Sequence, residues 1–214
     1  NRTTQMNINH QKLFEPLTKA TFRMSASNVT EVLKAAFRLC RDPYPGPVHI
    51  GLPSDISDIE VYTPANVTVE NKFRYRHNDV EKIISLIEKS RRPLMAIGLT
   101  AARLGIGNEL LEYLDYWKMP IVITPMAKGL IPENHPCYTG VLFHSLSDYL
   151  EDIYNKTDLV IGIGYDPVEY NYESWMPDVP LVHFDVKETD MPSTGTIVQY
   201  SGPPEEWFDV LKNI

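Results

Sequence analysis

The chain is poor in several kinds of residue, and each scarcity narrows what it can be. Its two cysteines, Cys40 and Cys137, lie far apart in 214 residues, so we interpret them as reduced core thiols. Acidic residues exceed basic ones by a net charge of -8, which argues against nucleic acid or an anionic membrane as a partner. No apolar run approaches the roughly 18 residues that span a bilayer, and no secretory signal opens the chain. We therefore expect a cytoplasmic location.

The histidines are also few, and they are scattered along the chain. None lies in a Gly-x-Ser-x-Gly context or at the spacing of metal ligands, and the carboxylates form no distinguishable acid/base pair. We therefore predict no catalytic residue and no metal ligand. The six histidines are His10, His49, His77, His135, His144 and His183.

What the chain does have is a regular alternation of helical and strand patterns from about residue 79 onward. Apolar residues at spacings of three and four predict helices, and short continuous apolar runs predict buried strands. Such alternation is typical of an α/β protein with a doubly wound parallel sheet. The predicted helices are 80–87, 110–117, 145–154 and 205–211, and the predicted strands are 94–98, 120–124, 159–164, 180–185 and 197–200.

The pattern of residues 1–57 predicts a separate, partial α/β segment. A capping-box-like start at Asn28 predicts an amphipathic helix that ends before Pro43, and the run 47–53 predicts one strand. One helix and one strand cannot bury both faces of a sheet, so we interpret this segment as the tail of a domain and the chain as a fragment. The predicted divisions are 1–57, a polar linker 58–78, and a main domain 79–214.

The stretch IGIGYDPVEYNYESW, residues 161–175, begins like a dinucleotide-binding loop. Gly162 and Gly164 match the first two glycines of the G-x-G-x-x-G fingerprint, but Pro167 replaces the third and has no N–H to offer a phosphate. Asp166 before that proline is typical of a helix N-cap, and a phosphate here would face both Asp166 and Glu169. We interpret the loop as one that excludes phosphate.

Three other residues could hold a nucleotide if one binds. Gly98 follows the first strand of the main domain, although Thr100 stands where the fingerprint requires glycine. Arg103 could meet a phosphate, or it could be a solvated arginine. Asp185 ends a strand 21 residues after Gly164, which suits either a ribose-binding acid or the cap of the following turn.

Several segments together resemble the thiamine-diphosphate-dependent enzymes of the acetolactate synthase group. Gly46-Pro-Val-His-Ile-Gly-Leu-Pro-Ser-Asp55 is similar to the strand that closes their pyrimidine-binding domain. The segments that are similar to parts of the central, Rossmann-like domain are Arg92-Pro-Leu-Met-Ala-Ile-Gly98, Met126-Ala-Lys-Gly129 and Leu181-Val-His-Phe-Asp185. The resemblance implies the end of a pyrimidine-binding domain followed by the central domain.

The resemblance also implies cofactors and partners for the parent enzyme. Family members bind thiamine diphosphate and Mg²⁺ through a glutamate and a Gly-Asp-Gly motif, neither of which has a counterpart in this chain, and they form homodimers or homotetramers that act on a 2-oxo acid such as pyruvate. Flavin-containing members carry an Arg-Phe-Asp-Asp-Arg-like run where this chain has residues 165–170. That departure resembles the catabolic, flavin-independent branch and makes FAD an unexpected ligand.

Three hypotheses follow. The leading one is a non-catalytic central-domain fragment of a thiamine-dependent carboligase or decarboxylase, with acetolactate synthase as the parent. The second is an autonomous FAD- or nucleotide-binding module that uses Gly98, Arg103 and Asp185. The third is a purely structural oligomerisation domain.

Overall fold

The computed structural model describes residues 8–61, 79–142, 148–170, 178–191 and 195–213. The chain forms two compact units, residues 1–73 and 74–214. The division falls within the predicted linker 58–78, of which residues 62–78 lie outside the described part, so the predicted domain boundaries remain a prediction. No helix in the described part is both long and apolar enough to cross a membrane.

The first unit is a small β-α-β arrangement. Strands β1 and β2 pair in parallel, with Ala20 opposite Val48, and α2 connects them. Its elements are α1 (His10–Phe14), a 3₁₀ turn (Glu15–Leu17), β1 (Ala20–Arg23), α2 (Val29–Cys40) and β2 (Val48–Gly51). The sequence predicted α2 and β2 but not β1, because its three half-buried residues and one exposed residue show neither an apolar run nor an alternation.

Two local expectations about this unit were wrong. Helix α2 begins after Asn28 as predicted, but the Asn28 side chain does not cap it. Instead, Asn28 Oδ1 accepts from the Ser25 N–H at 2.7 Å and its amide donates to the Arg23 carbonyl, which ties the helix start to the preceding turn. Cys40 at the end of α2 is exposed and not a core thiol, whereas Cys137 in the second unit is buried.

The second unit is a six-stranded sheet in which every strand pairs in parallel. Its strands are β3 (Pro93–Ile97), β4 (Ile121–Ile123), β5 (Tyr138–Val141), β6 (Leu159–Ile163), β7 (Leu181–Asp185) and β8 (Ile197–Ser201). Its helices are α3 (Val80–Lys89), α4 (Leu99–Leu104), α5 (Gly107–Trp117), α6 (Asp148–Lys156) and α7 (Pro204–Lys212), with short 3₁₀ turns at Pro125–Ala127 and Pro167–Tyr170. The predicted doubly wound α/β class is confirmed.

The strand order β5-β4-β3-β6-β7-β8 is that of the doubly wound dinucleotide-binding fold. Strands β6 and β7 are buried along their whole length, as the apolar runs predicted. The edge strand β5 was not predicted; it is short and half-buried, and its register against β4 shifts at Gly140. Helix α7 forms where it was predicted; Trp207 and Leu211 are fully buried on it, and the Trp207 indole donates to the Gly202 carbonyl.

Candidate functional site

The candidate site lies where the sheet order reverses, between the neighbouring strands β3 and β6. We call the edge at which β3, β4, β6 and β7 end the carboxyl edge, because ligands of doubly wound sheets bind beyond the carboxyl ends of the strands. At this point β3 continues into α4, and β6 continues into the turn that begins at Gly164. Helix α4 begins directly after Gly98, within one residue of the end of β3.

Two glycines bring these segments into direct contact. Gly164 has φ +56°, and a Cβ at this position would overlap the backbone N of Ala101. A Cβ at Gly98 would lie 2.5 Å from the Tyr165 Cα. The Thr100 N–H donates to the Gly164 carbonyl at 3.0 Å, which fastens the two segments together. The glycines therefore allow two backbone segments to lie in contact. A G-x-G pattern in a sequence does not tell this use from the binding of a ligand close to the backbone.

The carboxylate of Glu169 occupies the beginning of α4. Its Oε1 accepts from the N–H of Leu99, the first residue of α4, at 3.0 Å and from the N–H of Asp166 at 3.3 Å. Burial raises the pKa of Glu169, and the hydrogen bonds from these two N–H groups offset part of that rise. The position that a ligand phosphate takes in related folds is thus filled by a side chain of the protein itself.

The second oxygen of Glu169 faces a less complete environment. Oε2 is buried and lacks a partner at hydrogen-bonding geometry within the described residues, as does the fully buried Thr124 hydroxyl at the end of β4. That hydroxyl is nevertheless close enough to lower the pKa of Glu169.

Asp166 caps the 3₁₀ turn that follows β6. Its Oδ1 accepts from the Val168 N–H at 3.0 Å, and the turn starts at Pro167, in the arrangement that the sequence predicted for this pair. The rest of the stretch, residues 171–175, lies outside the described part.

A buried polar network continues along β7 and β8. His183 Nε2 lies 2.9 Å from the Tyr165 carbonyl, and because the group at Nδ1 is also an acceptor, the neutral ring donates to only one of the two. Nδ1 lies 3.2 Å from Gln199 Oε1, and the Gln199 amide is held by both main-chain groups of Thr189. Burial lowers the pKa of His183 to about 4, and the acceptors at the two ring nitrogens oppose the shift only in part.

The three residues of the predicted nucleotide set lie in different surroundings. Gly98 is buried against Tyr165, as described above. Asp185 is fully buried at the end of β7, where its Oδ1 accepts from the Val186 N–H at 2.6 Å, and its Oδ2 lies 3.8 Å from His183 Nε2. Arg103 is exposed on the last turn of α4. The hydrogen bond to Val186 therefore supports the interpretation of Asp185 as the cap of the following turn. Nucleotide binding by Gly98, Arg103 and Asp185 stays a prediction.

No group of three histidine, cysteine or carboxylate side chains in the described ranges is placed to hold a metal ion. His77 and His144 lie outside those ranges. His49 stacks on Phe14 at 4.4 Å between ring centroids, and His135 Nδ1 accepts from the Cys137 N–H. The sequence identified Glu169 as a residue that a phosphate would face, but its contact with Leu99, seventy residues away, had no signal in the pattern.

Fold and site together define the class: a Rossmann-like α/β domain in which the Glu169 carboxyl group bonds the start of α4. Residues 80–206 match the family model for the central domain of thiamine pyrophosphate enzymes. The chain belongs to this family, which confirms the resemblance seen in the sequence.

Relatives with curated names cover most of this chain. It is 30% identical over 191 residues to the "Probable acetolactate synthase large subunit" of Methanocaldococcus jannaschii, which covers 84% of this chain and 32% of that protein. It is 26% identical over 182 residues to the acetolactate synthase isozyme 2 large subunit of Escherichia coli, covering 81% and 33%. It is 29% identical over 136 residues to pyruvate decarboxylase isozyme 2 of Saccharomyces cerevisiae, covering 60% and 24%. The chain thus spans about a third or less of the length of these relatives.

A solved structure shares the fold. The X-ray structure of a protein from Mycobacterium smegmatis, described as a candidate thiamin diphosphate-dependent enzyme, superimposes with a TM-score of 0.69 over 97% of this chain and 42% of that one. At 20% sequence identity, this likeness concerns the fold alone.

Proposed function

We propose that these 214 residues are a non-catalytic part of a thiamine-diphosphate-dependent enzyme that joins or decarboxylates 2-oxo acids, with acetolactate synthase as the leading candidate. The names of the relatives support this reaction class, since both acetolactate synthases and a pyruvate decarboxylase are among them. Pyruvate is the proposed substrate of the parent enzyme, and a homodimer or homotetramer is its proposed assembly.

The observation that carries the non-catalytic role is the occupied carboxyl edge. Glu169, Gly98 and Gly164 fill the switch point with protein atoms, and among the residues that the structure describes there we assign none to act on a substrate. Glu169 and His183, whose pKa values depart from their ordinary values, are both engaged in internal contacts. The role that remains for the domain is to carry and orient its neighbours in the parent enzyme.

We assign no residue in the described part of the chain to the binding of the family cofactor. A diphosphate with Mg²⁺ needs oxygen ligands and phosphate donors. The sequence contains no Gly-Asp-Gly, and the described residues hold no metal-binding group of three. We therefore propose that thiamine diphosphate is bound by other parts of the parent enzyme, and no step of the reaction is assigned to residues of this chain.

We extend the proposal to FAD, which we expect not to bind here. Glu169 places a carboxyl group at the start of α4, and Asp166 places a second one a few residues away. A flavin diphosphate would have to displace the hydrogen bonds of Glu169 and accept two carboxyl neighbours, which is electrostatically unfavourable.

The test compares the 214-residue chain with a protein of the full length of its relatives. Each is incubated with thiamine diphosphate, Mg²⁺ and pyruvate, and CO₂ and acetolactate are measured. We expect turnover by the longer protein and none by the shorter. Turnover by the 214-residue chain would overturn the non-catalytic role, and a longer protein inactive on pyruvate would overturn the proposed substrate.

The competing function is nucleotide binding at the carboxyl edge, which the strand order favours as a general property of this fold. Visible flavin absorbance in the purified protein, or micromolar binding of ADP by calorimetry, would establish it in place of the FAD-free proposal. A protein that binds no ligand but self-associates stably would favour the purely structural role.

A further inference from the structure

A cavity lies at the other edge of the central sheet, the amino edge, where β3 and β4 begin. It has a volume of about 520 Å³ and lies between the ends of α3, α5 and α6. Cavities of several hundred cubic ångströms with mostly apolar walls are the usual size and kind of a small-molecule site. The proposed function of the chain makes no use of it.

The walls combine an apolar surface with positive charge. Ile87, Trp117, Met119 and Ile153 contribute apolar surface from three helices and the start of β4. The basic residues that line the cavity are Arg91, Arg92, Lys118 and Lys156. This concentration of positive charge occurs in a chain whose net charge is -8.

The nearby carboxylates leave most of this charge unpaired. Asp152 pairs with Lys156 at 2.6 Å. Asp158 accepts from the main-chain N–H groups of Arg91 and Arg92, at 2.9 and 3.0 Å, and so does not engage their guanidinium groups. No carboxylate within the described ranges forms an ion pair with Arg91, Arg92 or Lys118.

Part of this charge has an ordinary explanation. Basic residues are favourable at helix C-termini, where Lys118 and Lys156 lie, because the helix dipole is negative there. Two further observations are not covered by that explanation, and both concern residues of the cavity wall.

The first is the backbone of Lys118. At φ +48° it is the one non-glycine residue in the described part of the chain with a left-handed backbone, a conformation that costs about 1 kcal/mol for a residue with a Cβ. Its N–H closes α5 on the Leu114 carbonyl at 2.8 Å, a function that glycine performs without strain. Lysine at this position is therefore not explained by the backbone, and its side chain borders both this cavity and the neighbouring hollow lined by Asp115 and Cys137.

The second is the indole of Trp117. Its Nε1 is buried and finds no acceptor among the described residues, whereas the Nε1 of Trp207 donates to a carbonyl at 2.9 Å. A buried donor without an acceptor is costly, so this wall of the cavity is not fully satisfied by the described residues.

We propose that this cavity binds a small organic anion that carries an apolar group, such as an aryl or branched-alkyl carboxylate. The apolar part packs on Trp117, Ile87 and Ile153. The anionic oxygens meet Arg91, Arg92 and Lys118. Inorganic anions lack the apolar part and neutral analogues lack the charge, so both bind more weakly.

The experiment uses 2-naphthoate as the probe, with the neutral 2-naphthamide and inorganic phosphate as comparison ligands, in calorimetric titrations of the full 214-residue chain. We expect one site for 2-naphthoate and at least about tenfold weaker binding of the other two, since one charge-assisted contact is worth that factor. Equal affinity for the naphthoate and the amide, or no naphthoate binding, would overturn the proposal.

Variants then locate the site. The double variant Arg91→Gln/Arg92→Gln and the variant Lys118→Gly should each weaken 2-naphthoate binding by about tenfold. Trp117→Phe, which keeps an aromatic ring but removes the N–H, should weaken it less. The control Lys212→Gln removes an equal charge from an exposed position on α7, outside the cavity, and should leave binding unchanged.

Lys118→Gly also guards against misfolding as an explanation, because glycine suits the left-handed backbone at this position. Unchanged affinity in both the arginine and the Lys118 variants would place the probe elsewhere and overturn the proposal. Sedimentation of the chain without ligand tests whether the cavity is instead an interface between two copies of the chain. Self-association that the double arginine variant abolishes would show that the cavity is an interface between copies.

Discussion

The two edges of the central sheet differ in how completely the protein satisfies its own polar groups. At the carboxyl edge, two glycines bring β3 and β6 extensions together and Glu169 supplies the anion that the start of α4 attracts. At the amino edge, a cavity of about 520 Å³ retains unpaired positive groups and a buried indole N–H without an acceptor. A conserved topology therefore does not fix where a ligand binds, because a single carboxylate can occupy the usual place.

The largest expected effect tests how closely the carboxyl edge is packed. Gly164→Ala places a Cβ against the backbone of Ala101 on a left-handed residue, so we expect a loss of about 4 kcal/mol in the free energy of unfolding. Gly105→Ala is the matched control, since Gly105 is also left-handed, at φ +69°, but has open space around its Cβ position. It should lose about 1 kcal/mol in the same urea titration. Equal losses would show that the close approach is not a constraint.

The second prediction concerns the buried histidine beneath that edge. Because the folded protein lowers the pKa of His183 from 6.5 to about 4, the unfolded chain binds the extra proton first as the pH falls. The contribution to stability is full above pH 6.5 and is lost as the pH falls toward 4, by about 3 kcal/mol. Urea unfolding at a series of pH values measures it, and His183→Gln should remove this part of the pH dependence. A variant with the same profile as the wild type would contradict the assignment.

The third prediction tests the carboxylate that closes the edge. Glu169→Ala leaves the N–H groups of Leu99 and Asp166 without their acceptor, so we expect a loss of about 2 kcal/mol. Hydrogen exchange at the Leu99 amide should accelerate. Glu112→Ala, an exposed position in the middle of α5, provides the control and should be nearly neutral.

Glu169→Gln separates the charge from the hydrogen bonds. The raised pKa of Glu169 means that its contribution to stability is present below the ordinary carboxyl pKa and is lost as the pH rises through the raised value. The glutamine variant keeps an acceptor and does not ionise. Its stability relative to the wild type should therefore increase with pH, and a difference independent of pH would show that burial does not affect this carboxyl group.

The smallest expected effect lies at the amino edge. Lys118→Gly relieves the left-handed strain at the end of α5, so we expect a gain of about 1 kcal/mol in the free energy of unfolding. Lys118→Ala removes the same charge but keeps the strain, and it should give no such gain. If alanine and glycine stabilise equally, the charge and not the backbone is the source of the cost.

Much of the fold could be predicted from local pattern, and the exceptions share a physical cause. The buried strands β3, β6 and β7 appear as apolar runs because a parallel sheet covered on both faces requires them. The strands β1 and β5 are short and half-buried, so their residues resemble those of loops. Asn28 precedes a helix as predicted. Its side chain, however, bonds the main chain of Ser25 and Arg23 in the preceding turn, and not the N–H groups of the helix.

The candidate site divides in the same way. The sequence was sufficient to interpret residues 164–170 as unfavourable for phosphate, because proline lacks a donor and carboxylates repel anions. The contact that closes the site joins Glu169 to Leu99 across seventy positions, and the clash that limits Gly98 comes from Tyr165. Neither of these two long-range contacts produces a periodic pattern in the sequence.

By itself, the sequence determined the α/β class, the parallel sheet and the family, since these depend on apolar runs, local spacing and short motifs. Only the tertiary structure decided which edge of the sheet is filled and which remains open. That outcome depends on which side chains reach which backbone groups once β3 and β6 lie side by side, and on the space left where α3, α5 and α6 end. Both are consequences of packing between residues far apart in the chain.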